Sequence, residues 1–121
     1  MNNTNTKNEL ENLKFGDIVY MDFSPAVGHE QRGHRPAIVV SSPNPRLYNM
    51  ISVAPITNTD NGFPLHVSLG STTKTKGFII MEQVKSIDLS ARKVSFIEHA
   101  PENVIWQVRE VFKAVYEDAL G

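Results

Sequence analysis

The chain has 121 residues, 40% of them apolar and 21% charged, and a formal net charge of −1. That is the composition of one ordinary globular domain, and so balanced a charge argues against a general binder of long nucleic acids. There is no cysteine, which excludes disulfides, thiolate metal sites and a cysteine nucleophile, and no stretch approaches the roughly 18 apolar residues of a membrane span.

The opening 14 residues, MNNTNTKNELENLK, form a polar lead-in without the apolar core of a signal peptide. A flexible tail (1–14), a single domain (15–121) and a cytoplasmic location are therefore expected. Strand signals then recur at short intervals: Ile18–Phe23, Ala37–Val40, Met50–Ile56, Leu65–Leu69, Phe78–Met81 and Val94–Ile97. Turn-forming groups separate them, among them Ser42-Pro43-Asn44-Pro45, Asn58-Thr59-Asp60-Asn61-Gly62 and Lys76-Gly77. Leu65 to Leu69 alternates as a half-buried strand should. Ala37 to Val40 is continuously apolar and is expected to be central. Short strands with frequent turns predict a small barrel or strongly bent sheet, and Ser86–Ser90 is expected to make one short helical turn.

After Glu98 the period changes. Pro101 suits the first position of a helix and Glu102 lies near the positive end of its dipole. Val104, Ile105, Val108, Val111, Phe112, Val115, Tyr116 and Ala119 then fall on one helical face, with Gly121 closing the pattern. Trp106 lies off this stripe and is expected at the surface. Residues 15–97 carry eight Lys or Arg against six Asp or Glu, a balance of +2, whereas from Glu98 onward two stand against five, a balance of −3.

Chemistry concentrates in three segments. The richest is Gly28-His29-Glu30-Gln31-Arg32-Gly33-His34-Arg35-Pro36, between two strands. It is longer than a plain hairpin turn and dense in ionisable groups, and such loops on a rigid scaffold carry function more often than their neighbours do. The second is Val53-Ala54-Pro55-Ile56-Thr57, a strand ending on a hydroxyl. The third, Met81-Glu82-Gln83-Val84-Lys85-Ser86-Ile87-Asp88, places polar groups directly after a strand. Each also has a bland reading: a solvated loop, a strand-terminating threonine bonded to its own turn, and a surface Glu82–Lys85 pair. His66, on an alternating strand, and His99, before the helix, are read as structural.

Together, and in this order, these segments resemble the MazF, PemK and Kid family of toxins. The matching residues are Gly16-Asp17-Ile18-Val19, Gly28-His29-Glu30-Gln31, Gly33-His34-Arg35-Pro36-Ala37-Ile38-Val39-Val40, Val53-Ala54-Pro55-Ile56-Thr57 and Glu82-Gln83-Val84-Lys85-Ser86-Ile87-Asp88. The resemblance implies a mainly β fold, an SH3-like small barrel of about five to seven strands with a C-terminal helix, assembled as a homodimer. It implies an endoribonuclease that cleaves single-stranded RNA at a short sequence, without metal or other cofactor, and is neutralised by an antitoxin through an acidic, extended C-terminal segment.

It further implies catalytic roles for Arg35 and Thr57, with His29 and Glu30 as candidates for proton transfer or orientation. Gln31, Arg32, His34, Glu82 and Gln83 are the candidate RNA contacts. Some relatives carry an arginine two places before the Glu82 position. Here that residue is Ile80, which moves the catalytic burden toward Arg35 and Thr57. Two alternatives stand beside this reading: a gyrase poison on the same fold, and a binding module without catalysis. Neither needs an arginine and a threonine converging on a phosphate.

Overall fold

The computed structural model describes residues 12–23, 33–42, 49–60, 62 and 65–117. They form seven strands and a C-terminal helix: β1 (Asp17–Asp22), β2 (His34–Val39), β3 (Met50–Thr57), β4 (His66–Ser68), β5 (Phe78–Ile80), β6 (Lys85–Asp88), β7 (Val94–His99) and α1 (Glu102–Phe112). All pairings are antiparallel, in the order β4-β5-β3-β2-β1-β7, with β6 also on β3. The apolar Ala37–Val40 run is central as expected, since β2 lies between β1 and β3. Ser86–Asp88 belongs to a strand, and the short 3-10 turn expected from Ser86 instead occupies Leu89–Ala91, where the Asp88 carboxylate accepts the Ser90 amide at 2.9 Å.

Period-two alternation sends the side chains of the central strands into two cores. Ile38, Val40, Ala54 and Ile56 face α1 and pack with its Val104, Ile105 and Val108. Val19, Met21, Ala37, Val39 and Val53 point the other way and form a second cluster with Phe23, Ile87 and Val94. Ile87 and Val94 come from β6 and β7, the two ends of the path β6-β3-β2-β1-β7. The sheet has therefore curled until its ends share a core, although no hydrogen-bonded pair joins β6 to β7 among the described residues. Removing a fully buried side chain such as Ile38 from either core costs about 2–5 kcal/mol.

The helix begins one residue later than the sequence suggests. Pro101 is extended, and its carbonyl accepts the Val104 and Ile105 amides at 3.0 Å each. One π-helical segment, Lys113–Glu117, continues from its end. Trp106 is 64% exposed, as its position off the apolar stripe predicts. The helix seats against the start of β1 at Gly16, where an added Cβ would lie 2.6 Å from Ile105 Cδ1. Beside it the buried Asp17 carboxylate accepts the Lys14 amide at 3.0 Å and lies 2.8 Å from His99 Nδ1. His99 thus joins β7 to the start of β1, a structural role. Among the described residues no helix is long and apolar enough to cross a membrane.

The connection from β4 to β5 is held by Glu98. Its carboxylate accepts the Lys74 amide at 3.1 Å, the Thr75 amide at 2.8 Å and the Thr75 hydroxyl at 2.9 Å. Burial pushes this carboxyl up, but these bonds and the Lys74 charge outweigh it and hold the pKa below the usual glutamate range. A depressed carboxylate pKa contributes stability that is complete above the unfolded value and is lost as the pH falls through the folded one. Glu98→Gln should therefore lower stability at neutral pH and flatten its decline through the acidic range, as measured by urea unfolding from pH 7 to pH 3. A variant whose pH profile runs parallel to the wild type would refute this role.

That same connection ends on Gly77, whose φ is +127° and where a Cβ would lie 2.3 Å from the Thr57 carbonyl oxygen. The obstacle is backbone, which side-chain rotation does not relieve. Gly77→Ala is expected to lower stability by about 2 kcal/mol, read from the urea midpoint at unchanged slope, and to displace Thr57.

Candidate active site

Strand register puts Arg35 and Thr57 on one face of the sheet. β2 and β3 pair Val39 with Val53, Ile38 with Ala54 and Ala37 with Pro55. Continued by two residues, the same register sets Arg35 opposite Thr57. Directly opposed residues share a face of the sheet, and both residues therefore stand on the face of the second core, where its apolar side chains run out. Arg35 is also paired with Met21 of β1. Both side chains are half-buried.

Thr57 is fixed from several sides. Its backbone pairs with Phe78 of β5, its carbonyl lies where a Cβ at Gly77 would clash, and its Oγ1 accepts the Thr59 amide at 3.2 Å. That turn bond is the bland role expected of a strand-end threonine, and it is present. It uses Oγ1 as an acceptor, and a threonine hydroxyl also carries a proton to donate. A guanidinium carries paired donors matched to phosphate oxygens and stays protonated at neutral pH. A guanidinium and a hydroxyl on one face are donor types suited to a tetrahedral oxyanion.

β3 faces an irregular partner on its other edge. Between the pairs Val53–Lys85 and Ile56–Ile79, β3 has two residues and the facing chain has five. The three extra residues are taken up by a bulge around a single 3-10 turn, Met81–Gln83. Glu82 and Gln83 occupy this turn. Glu82 Oε2 lies 3.1 Å from His66 Nε2, and His66 Nδ1 lies 3.7 Å from Asp60 Oδ1 in the segment that follows Thr57. His66 therefore joins the segment after β3 to the bulge. The Tyr116 hydroxyl donates to the Met81 carbonyl at 3.1 Å, and burial together with the Glu82 charge raises its pKa. The alternative Glu82–Lys85 surface pair does not form; Lys85 reaches instead over the Phe23 ring, 5.8 Å from its centroid.

Alternation turns His34 to the face opposite Arg35, where it is exposed and stacks on Tyr20, with ring centroids 5.9 Å apart. His29, Glu30, Gln31 and Arg32 lie outside the described residues. Among the described residues no three of His, Asp and Glu are grouped as metal ligands. A cleft of about 320 Å³ lined by Phe15, Val40, Ser42, Arg109, Phe112 and Lys113 lies by the far end of β2, away from Arg35. Sequence reasoning overlooked Lys85 and Phe23 as members of the Arg35 face. The lysine was in a quoted motif, but its face depends on the bulge.

The chain matches, over residues 14–116, the family of PemK-like, MazF-like toxins of type II toxin–antitoxin systems. It is 39% identical over 119 residues to the endoribonuclease toxin ChpB of Escherichia coli K12, covering 92% of this chain and 97% of ChpB. It is 42% identical over 81 residues to the endoribonuclease toxin MazF of the same strain, covering 64% and 69% respectively. Its fold is similar to crystal structures from Deinococcus radiodurans. MazF gives a TM-score of 0.79 at 28% identity, covering 86% of this chain and 96% of that one. A MazE–MazF complex gives 0.73 at 28% identity, covering 86% and 95%. The match spans both Arg35 and Thr57 and runs from the residue before Phe15 into the π-helical segment, so the chain belongs to the family of PemK-like, MazF-like toxins.

Proposed function

We propose that the chain is an endoribonuclease toxin that cleaves single-stranded RNA at a short sequence, using the substrate's own 2′-hydroxyl and no metal ion. The observation that carries this reading is the β2–β3 register, which, continued two residues past the Ala37–Pro55 pair, sets Arg35 opposite Thr57 on the face of the second core. Relatives bearing the name endoribonuclease, ChpB and MazF among them, support it.

The 2′-oxygen attacks the adjacent phosphorus, the O2′–P bond forms and the P–O5′ bond breaks. Two tasks then fall to the protein. The extra negative charge on the non-bridging oxygens needs preorganised donors, which the Arg35 guanidinium and the Thr57 hydroxyl supply. One proton must leave O2′ and another must reach O5′. His29 and Glu30 are proposed for this proton transfer or for orientation, because imidazole titrates near neutrality and a free guanidinium does not. The products are a 2′,3′-cyclic phosphate and a 5′-hydroxyl end.

Gln31, Arg32, Glu82 and Gln83 are proposed to contact bases by hydrogen bonds and stacking, as single-strand recognition requires. His34, already stacked on Tyr20, would serve at the opposite face. The reading includes a single domain over residues 15–121, a homodimer in the cytoplasm and an antitoxin that binds through an acidic extended segment. The +2 balance of residues 15–97 favours encounter with such a segment, and MazE–MazF complexes among the structural neighbours support a partner of this kind.

The test is digestion of a long RNA of mixed sequence in the presence of a chelator, with ends mapped by sequencing. Wild type should cut at one short shared motif and leave 5′-hydroxyl ends. Arg35→Ala should lose about 10²–10³-fold in rate. Thr57→Val, which keeps the shape but removes the hydroxyl, should lose about tenfold. Intact RNA after incubation with folded wild type would overturn the proposal.

A further inference from the structure

The bulge between β5 and β6 decides which face Lys85 occupies. If the register of Ile56 with Ile79 continued unbroken, Lys85 would fall opposite Met50, on the face covered by α1. An insertion of an odd number of residues exchanges the faces of everything beyond it. With three extra residues Lys85 stands opposite Val53 instead, on the face of Ala37, Arg35 and Thr57.

Packing explains part of this exchange but not the lysine. Ile87, two residues on, needs the same face to reach the second core, where it is 2% exposed. Lys85 gains nothing comparable. It is half-buried, its ammonium lies over the Phe23 ring, and no carboxylate among the described residues is within ion-pair distance of it. An aromatic face attracts a cation but leaves the outward N–H groups of an ammonium to other acceptors.

Phe23 supplies the position. Its amide donates to the Gly33 carbonyl at 3.0 Å, which continues the β1–β2 register past the Met21–Arg35 pair. Phe23 and Arg35 are therefore diagonal neighbours on one face, about 7–8 Å apart in such a ladder. The Lys85 ammonium, over the Phe23 ring, thus lies on the face of the sheet that also carries Arg35.

We propose that Lys85 binds the phosphodiester next to the scissile one, so that Arg35 and Lys85 hold two successive phosphates of the RNA across Phe23. This rests on the ribonuclease reading and deepens it. Arg35 serves the reacting phosphate, whereas Lys85 is a positioning residue that fixes the strand and acts mainly on binding.

The experiment uses the full chain and a twelve-nucleotide RNA spanning a site mapped in the chelator digestion. It is prepared unmodified and with a neutral methylphosphonate at single linkages on either side of the cut. Lys85→Met, which keeps an unbranched stem over Phe23, should lose about five- to tenfold in kcat/KM, with the loss in KM. Its dependence on salt should be shallower than wild type by about 0.7 in the log–log slope. Neutralising one linkage beside the cut should cost wild type the same factor and cost Lys85→Met nothing further, while Lys85→Arg should recover most of the loss.

Additive losses from the methylphosphonate and the Lys85→Met substitution, or an unchanged salt slope, would overturn the proposal. If Lys85→Met does not fold, the methylphosphonate series on wild type decides. A cost confined to a linkage beside the cut supports a contact there, and an even cost along the strand removes it. Failure of wild type to cleave any RNA sinks the ribonuclease reading and this inference with it. Cleavage that depends on Arg35 and Thr57 but not on Lys85 sinks this inference alone.

Discussion

The site depends on the register of β3. This strand carries alternate side chains into two different cores, Ala54 and Ile56 toward the helix and Val53 toward the opposite cluster. A slip of one residue would exchange the two sets and bury neither correctly. With both faces covered, register is specified twice. Thr57 inherits its place from this constraint, since it is the last residue of the strand that the two cores hold. Arg35 inherits its own from the matching alternation in β2.

Pro55 explains why the irregularity on the other edge of β3 falls where it does. The Ser52 carbonyl accepts the Val40 amide at 2.8 Å and so points toward β2. In an antiparallel ladder the N–H and C=O of one residue point the same way and alternate along the strand. The backbone of Pro55 therefore points to the edge occupied by β5 and β6. Proline has no N–H to offer a partner there, and the facing chain loops out between Ile79 and Lys85. The missing donor and the bulge occupy the same interval, so the loss of regular pairing costs little. The same bulge presents Glu82 and Gln83 and sets Lys85 on the face that carries Arg35.

Much of this was legible in the sequence because it rests on local periodicity. The long apolar strands β1, β2 and β3, the alternating β4, the helical stripe from Val104 and the surface position of Trp106 all follow from spacing alone. β6 did not, since Lys85-Ser86-Ile87-Asp88 holds one apolar residue and shows no alternation until its partner is known. The Glu82–Lys85 pair was a reasonable reading of residues three apart. Tertiary structure defeats it by bringing His66 from β4 to the carboxylate. Which face a residue takes beyond a bulge depends on whether the insertion is odd or even, and composition carries no trace of that number.

The two groups proposed to stabilise the phosphorane stand on strands, while the proposed proton carriers fall in the segment between β1 and β2. This division has a physical basis. Electrostatic stabilisation works only if the donors are already aimed, because reorienting dipoles during reaction would consume the energy they supply. Thr57 is held in place for the proposed role, its backbone paired to Phe78 and its Oγ1 bonded to the Thr59 amide. Proton transfer asks instead for a pKa near the working pH and for contact in the bound complex. Phosphate placement and proton transfer are thus separable demands, and in the proposed mechanism the one that requires rigidity falls to Arg35 and Thr57, whose strands are held in register by two cores.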